Sequence, residues 1–66
     1  MNDADDDTYL LPHEVSEELR IPEQTLANWR WRGIGPRFLK IGKHVRYRRS
    51  DLNEWLAGQT RGGDAA

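Results

Sequence analysis

Three side chains that can form hydrogen bonds lie close together in the middle of the chain: Gln24, Thr25 and Asn28. Glutamine and asparagine can make paired hydrogen bonds to the edge of adenine, and threonine can contact the methyl group of thymine. Glu23, beside them, could accept a hydrogen bond from cytosine or could instead stabilise the start of a helix. An ordinary polar helix surface uses the same residue types, so the base-reading interpretation depends on what surrounds them.

Basic residues are concentrated around these side chains. The whole chain has a formal net charge of −1, but the stretch from Arg20 to Arg49 carries nine basic residues and one acid, a net charge of +8. A surface that needs only solvation usually mixes both signs, so this separation favours a polyanionic partner. The nine basic residues are Arg20, Arg30, Arg32, Arg37, Lys40, Lys43, Arg46, Arg48 and Arg49.

The apolar spacing predicts two short helices in the first half of the chain. Leu11, Val15 and Leu19 recur every four residues and Pro12 suits a first helical turn, so a helix is predicted over Pro12–Leu19. A second helix is predicted over Pro22–Arg32.

The second predicted helix has an inner and an outer side. Leu26 and Trp29 mark the inner side, and Gly33 supplies a C-terminal stop. The two predicted helices are separated only by a short turn between Leu19 and Pro22, and two short helices joined in this way form a helix-turn-helix. We expect the arginines at the end of this helix to reach phosphates. The DNA-binding residues predicted on it are Glu23, Gln24, Thr25, Asn28, Arg30 and Arg32.

A β-hairpin is predicted after Gly35-Pro36 breaks the chain. Its strands, Phe38–Ile41 and Val45–Arg48, flank a tip of Gly42-Lys43-His44, and their alternation predicts one apolar and one basic face. For Arg46 and Arg48, pairing with Asp51 or Glu54 is the alternative to DNA contact. The residues of this wing expected to contact phosphate or a narrow minor groove are Lys40, Lys43, His44, Arg46 and Arg48.

A third helix is predicted to begin at Ser50-Asp51, which offer an N-cap. The fold class is therefore mainly α with a small β-hairpin, a winged helix-turn-helix in the order helix, turn, helix, hairpin wing, helix. Residues 1–8 are expected to form a disordered acidic head, residues 9–57 the winged domain, and residues 58–66 a flexible tail.

Aromatic residues supply much of the expected core. Trp29, Tyr47 and Trp55 fall on predicted inner stripes, where each can bury a large area. Trp31 points away from the inner stripe, so it is expected either to pack against the wing or to be exposed as a partner contact.

The residues indicate no catalysis, cofactor, metal or small-molecule ligand. The chain has no cysteine, and its two histidines, His13 and His44, are too far apart to suggest a zinc site. Without a cysteine nucleophile, and with Ser16 and Ser50 as the only serines, the residues form no catalytic constellation, so an enzyme is not expected. Because no apolar run is long enough for a membrane span and no signal peptide is evident, a cytoplasmic location is expected.

The following motifs occur in order along the chain: Leu10–Val15, Ile21–Leu26, Trp29, Gly33, Gly35–Gly42, Val45–Leu52 and Trp55-Leu56. In this order they resemble the excisionase family, whose members carry a MerR-like winged helix-turn-helix domain. Leu11 and Pro22 stand where the family usually has a capping Thr or Ser, so the cap of the first helix is expected to come from elsewhere. Arg20 stands where the family usually has glycine. A non-glycine residue in a left-handed conformation costs roughly 1 kcal/mol, so another turn geometry is expected.

The resemblance implies a recombination directionality factor of phages or integrative plasmids. Such a protein is expected in the cytoplasm of a bacterial host, associated with the nucleoid when it is bound to DNA. Such a protein binds double-stranded attachment-site DNA cooperatively with neighbouring protomers and bends it, which helps an integrase assemble the excision complex. A small transcriptional regulator that uses the same domain at a promoter is the alternative. A third possibility is a protein-interaction module whose acidic head docks on a basic partner.

Overall fold

The computed structural model describes residues 7–62, which form three helices and one small antiparallel sheet. This architecture confirms the predicted winged helix-turn-helix class. Among the described residues, no helix combines the length and apolar character that a membrane span needs. In chain order the elements are β1 (Tyr9–Leu10), α1 (Pro12–Leu19), α2 (Glu23–Arg32), β2 (Leu39–Ile41), β3 (His44–Arg48) and α3 (Arg49–Ala57).

The hairpin has a two-residue loop, and this corrects the predicted faces of the wing. Leu39 pairs with Arg46 and Ile41 pairs with His44, so the loop is Gly42-Lys43 and His44 belongs to β3. Paired residues lie on the same face of a sheet, and a shift of one residue turns every side chain of a strand over. Apolar and basic residues therefore share the outer face, and the expected division into one apolar and one basic face is wrong.

Strand β1 was not foreseen from the sequence. It pairs antiparallel with β3, Tyr9 with Arg48 and Leu10 with Tyr47, so the strand order is β1-β3-β2. The strand is only two residues long, too short for a period-two pattern to show in the sequence. Its effect is to make β3 the central strand, which is therefore paired along both edges.

Asp7 and Thr8, the first described residues, form hydrogen bonds with the first turn of α3. Arg48 occupies the N-cap position without a side-chain cap, and Ser50 lies inside the helix, so the predicted Ser50-Asp51 cap is wrong. The carboxylate of Asp7 accepts hydrogen bonds from the Ser50 N–H (3.0 Å) and hydroxyl (2.7 Å). The carbonyl of Thr8 accepts one from the Arg49 N–H (2.9 Å).

Two residues of the predicted acidic head thus bond to the last helix. Residues 1–6 of that head, and residues 63–66 of the predicted tail, lie outside the described residues. Of the predicted tail, Gly58 and Gln59 extend the end of α3 through backbone hydrogen bonds to its last turn.

Four fully buried side chains form the centre of the core: Val15, Leu26, Tyr47 and Leu52. They come from α1, α2, β3 and α3 in turn. Each of these four elements therefore contributes one residue to a single buried cluster. Tyr47 is thus confirmed as a core aromatic.

The other two predicted core aromatics, Trp29 and Trp55, are half-buried and pack against each other with ring centroids 5.6 Å apart. Gly35 lies against the Trp29 ring, because a Cβ atom at position 35 would meet its Cε3 atom at 2.9 Å. A larger residue at position 35 would therefore push the Trp29 side chain out of its place beside the core.

Candidate nucleic-acid interface

The turn between α1 and α2 fixes how the second helix projects from the domain. Arg20 ends α1 in the left-handed conformation, with φ 60° and ψ 41°, so the geometry that glycine usually adopts is kept and the expectation of another turn geometry is wrong. Ser16 secures the turn from both sides. Its hydroxyl donates to the Ile21 carbonyl (2.6 Å), and its carbonyl accepts from the Ile21 N–H (3.1 Å).

Helix α1 obtains its N-terminal cap without a hydroxyl side chain. The Leu11 N–H donates to the Glu14 carboxylate (2.8 Å), which is one half of a capping box. Leucine has no side-chain acceptor, so the other half is lacking. As expected from the sequence, the cap does not come from the residue at the N-cap position; it comes from Glu14.

The outer surface of α2 carries most of the residues predicted to read DNA. Gln24 and Asn28 are exposed one turn apart, and Glu23 is exposed at the helix start. Thr25 is half-buried and therefore lies at the border of this surface. The helix ends at Gly33, whose left-handed conformation (φ 73°) lets its N–H and that of Ile34 bond back to the last turn.

Arg30, predicted to reach a phosphate, makes internal contacts. Its guanidinium donates to the Tyr47 hydroxyl (2.8 Å) and lies 5.9 Å from the Phe38 ring centroid and 6.0 Å from that of Tyr47. These contacts join α2 to the base of the hairpin, 17 residues away along the chain. Sequence reasoning missed this role because the contact connects two distant segments.

The tip of the wing is the two-residue loop Gly42-Lys43. Gly42 has a φ of 63°, and no neighbouring atom within 4 Å would obstruct a side chain there. Lys43 and the adjacent His44 are exposed, and Lys40 is exposed on β2. The structure thus brings three of the five predicted wing residues to the surface at the outer half of the hairpin.

The other two predicted wing residues make contacts within the domain. Arg46 is half-buried and donates to the carbonyl of Val45 (2.7 Å). Arg48 lies 3.5 Å from the carboxylate of Asp51, so the pairing considered as its alternative role is present.

Arg49, the last of the nine basic residues, pairs with Glu18 through two hydrogen bonds of 2.7 and 2.9 Å. These bonds hold the pKa of the Glu18 carboxyl below its ordinary value. Because both side chains are substantially exposed, such a pair stabilises the fold only weakly.

Most of the nine basic side chains therefore have no acidic partner in the part of the chain that the structure describes. Within residues 7–62, only Arg48 and Arg49 of the nine have a carboxylate within 4 Å. The remaining seven keep a net positive charge around α2 and the wing, which is the field that attracts a polyanion. Across the same part of the chain, no group of three potential metal ligands occurs.

The sequence matches the family model described as "Helix-turn-helix domain" over residues 9–60. Comparison with curated proteins finds no significant match, and comparison with solved structures finds none either. The matched range includes both helices of the turn, the whole hairpin and α3. Since the match covers most of its length, the chain belongs to the helix-turn-helix domain family, and this membership indicates DNA binding.

Proposed function

We propose that the protein is a sequence-specific architectural DNA-binding protein that acts as an excisionase-like directionality factor. It binds attachment-site DNA side by side with further copies, bends it and thereby favours integrase-mediated excision. It acts by binding rather than by catalysis, and needs no cofactor. One observation carries the DNA-binding part of the proposal: an exposed polar helix and a basic wing lie on one small domain whose cations are largely free of acidic partners within residues 7–62.

The two parts of the domain suit the two grooves of DNA. Helix α2 has the width that a major groove admits, and its exposed Gln24 and Asn28 can read base edges. The slim Gly42-Lys43 tip suits the adjacent minor groove or its phosphates. Arg30 holds the two parts together through Tyr47, so both can engage the same duplex as one unit.

Cooperative binding would compensate for the small size of the domain. One module of this size contacts few base pairs, so its affinity alone is expected to be moderate. Exposed Ile41, beside the wing tip, gives an apolar contact for a neighbouring copy. Bending a site costs of order 1–6 kcal/mol, an amount that several adjacent copies can supply.

The proposal is tested by selecting bound duplexes from a random pool, then footprinting the winner and measuring its bend by gel mobility. We expect direct repeats about one helical turn apart and a bent duplex. The variant Lys43→Gln should weaken binding to all duplexes. Arg61→Gln, which removes a positive charge outside the proposed interface, should leave binding nearly unchanged.

Other outcomes of the selection would change the proposal in distinct ways. A single inverted repeat without bending would replace excision control by promoter control. A lack of salt-sensitive binding to any duplex would overturn both DNA functions, and the protein-interaction alternative would then be examined with the acidic head.

A further inference from the structure

Trp31 is the most exposed large apolar side chain of the described residues, at 89%. The other two tryptophans, Trp29 and Trp55, pack against each other, and Trp29 also packs against the core. Exposing an indole to water forfeits the largest apolar burial that any side chain offers. Trp31 therefore contributes little buried apolar surface to the fold. A partner that covers its indole would gain the free energy of that burial.

The position of Trp31 on α2 places it among the residues that face DNA in the proposed function. It lies three residues after Asn28 and seven after Gln24, which is the spacing of one helix face. Leu26, on the buried side, lies roughly opposite. The three exposed side chains thus form one stripe along about 10 Å of the helix, which corresponds to about three base-pair steps.

The charges beside Trp31 favour a nucleic acid over a protein as the molecule that covers it. Arg32, the next residue, is exposed, and no carboxylate among residues 7–62 lies within 4 Å of its guanidinium. The single acid on this helix is Glu23, at its other end. The apolar group that a major groove displays to such a side chain is the methyl group of thymine.

We propose that Trp31 is a DNA-contacting residue whose indole packs on thymine methyl groups in the major groove. This inference rests on the proposed function and adds a position of base preference beyond those of Gln24 and Asn28. Because the contact is apolar, it releases no counterions, whereas each lysine or arginine that contacts a phosphate does.

The first test compares affinities for the selected duplex over a range of salt concentrations. Trp31→Ala should lower affinity about tenfold at every salt concentration, while Trp31→Phe, which keeps an aromatic ring, should lose much less. The slope against salt should match that of the wild type. A control variant, Arg32→Gln, should instead make the slope shallower.

The second test replaces the thymines of the site by uracil, which removes only the methyl groups. The loss caused by Trp31→Ala should become much smaller on the uracil duplex. An equal loss on both duplexes, or no loss on either, would overturn the proposal while leaving the proposed function intact.

Two further controls address folding and self-association. The thermal midpoint of Trp31→Ala should equal that of the wild type, because the side chain makes little contact with the fold. A wild-type dimer in sedimentation without DNA that becomes a monomer in Trp31→Ala would show that a second copy covers the indole, and would overturn the proposal. Failure of the wild type to bind any duplex would overturn the proposal together with the function.

Discussion

Arg20 adopts a strained, left-handed backbone conformation in the turn that sets the angle between the two helices of the helix-turn-helix. A non-glycine residue in the left-handed region costs roughly 1–2 kcal/mol, partly offset because glycine has more freedom to lose in the unfolded chain. We expect Arg20→Gly to raise the free energy of unfolding by about 0.5–1 kcal/mol, measured by urea denaturation. Arg20→Ala removes the same charge and keeps the strain, so it should not stabilise. Equal effects of the two variants would show that charge, not backbone conformation, is responsible.

Gly35 combines a positive φ (85°) with close packing against Trp29. Gly35→Ala should lower the free energy of unfolding by about 2 kcal/mol or more, because backbone strain and a displaced indole add. Gly33→Ala is a matched control, since Gly33 also has a positive φ (73°) but open space around its Cβ position. It should cost about 1 kcal/mol, the strain alone. Equal losses in thermal melts of the two variants would contradict the packing account of Trp29.

The carboxylate of Asp7 makes stability depend on pH. Hydrogen bonds from the Ser50 hydroxyl and then from its N–H hold the pKa of this carboxyl below its ordinary value. Because the pKa is lower in the folded than in the unfolded state, the stabilisation is present above the unfolded pKa. It is lost as pH falls through the folded value.

We therefore expect Asp7→Asn to melt at a lower temperature than the wild type at pH 7. The difference should shrink as the pH falls into the range where carboxyl groups titrate. Thermal melts at a series of pH values between neutral and strongly acidic conditions measure this. A difference that is constant with pH would show that the Asp7 charge makes no contribution.

The contact between α2 and the wing is a property of elements rather than of single residues. Tyr47→Phe removes the hydroxyl that accepts from Arg30 and should cost about 1 kcal/mol of unfolding free energy. Arg30→Gln should also reduce DNA affinity, but by loosening the wing relative to the helix. The salt slope of binding should then stay unchanged. A slope shallower by about one would instead identify Arg30 as a phosphate contact.

The sequence predicts the first two helices well because local signals determine their ends. Helix α1 has the predicted bounds Pro12–Leu19, and α2 begins one residue later than expected, after Pro22. Proline at the start and glycine at the end act within one turn of the chain, so their effect does not depend on the rest of the fold. The same holds for the existence and approximate position of the hairpin.

Features that depend on pairing between distant segments could not be predicted. The register of the wing turned on whether His44 belongs to the loop or the strand, a difference of one residue. The cap of α3 comes from Asp7, 43 residues before Ser50. For the site, residue types indicated a basic, polar interface, and pairing of Arg48 with Asp51 was one of its two expected roles. The contact of Arg30 with Tyr47, by contrast, is visible only in the structure.

At the scale of the whole molecule, the described part of the fold leaves most central basic side chains away from its own carboxylates. The chain as a whole is nearly neutral, yet seven of the nine central basic residues have no carboxylate within 4 Å among residues 7–62. A duplex would release counterions when the exposed ones among these side chains bind its phosphates. DNA binding should therefore weaken steeply with salt, although the net charge is −1.

The most direct test of the central claim is the equilibrium affinity of the wild-type protein for its selected duplex, measured between low and moderate salt. We expect the logarithm of the association constant to fall linearly with the logarithm of salt concentration, with a slope of roughly −3 to −5. Lys43→Gln should reduce the magnitude of that slope by about one. A slope near zero, or no binding at low salt, would contradict the claim that this helix and wing form a DNA-binding surface.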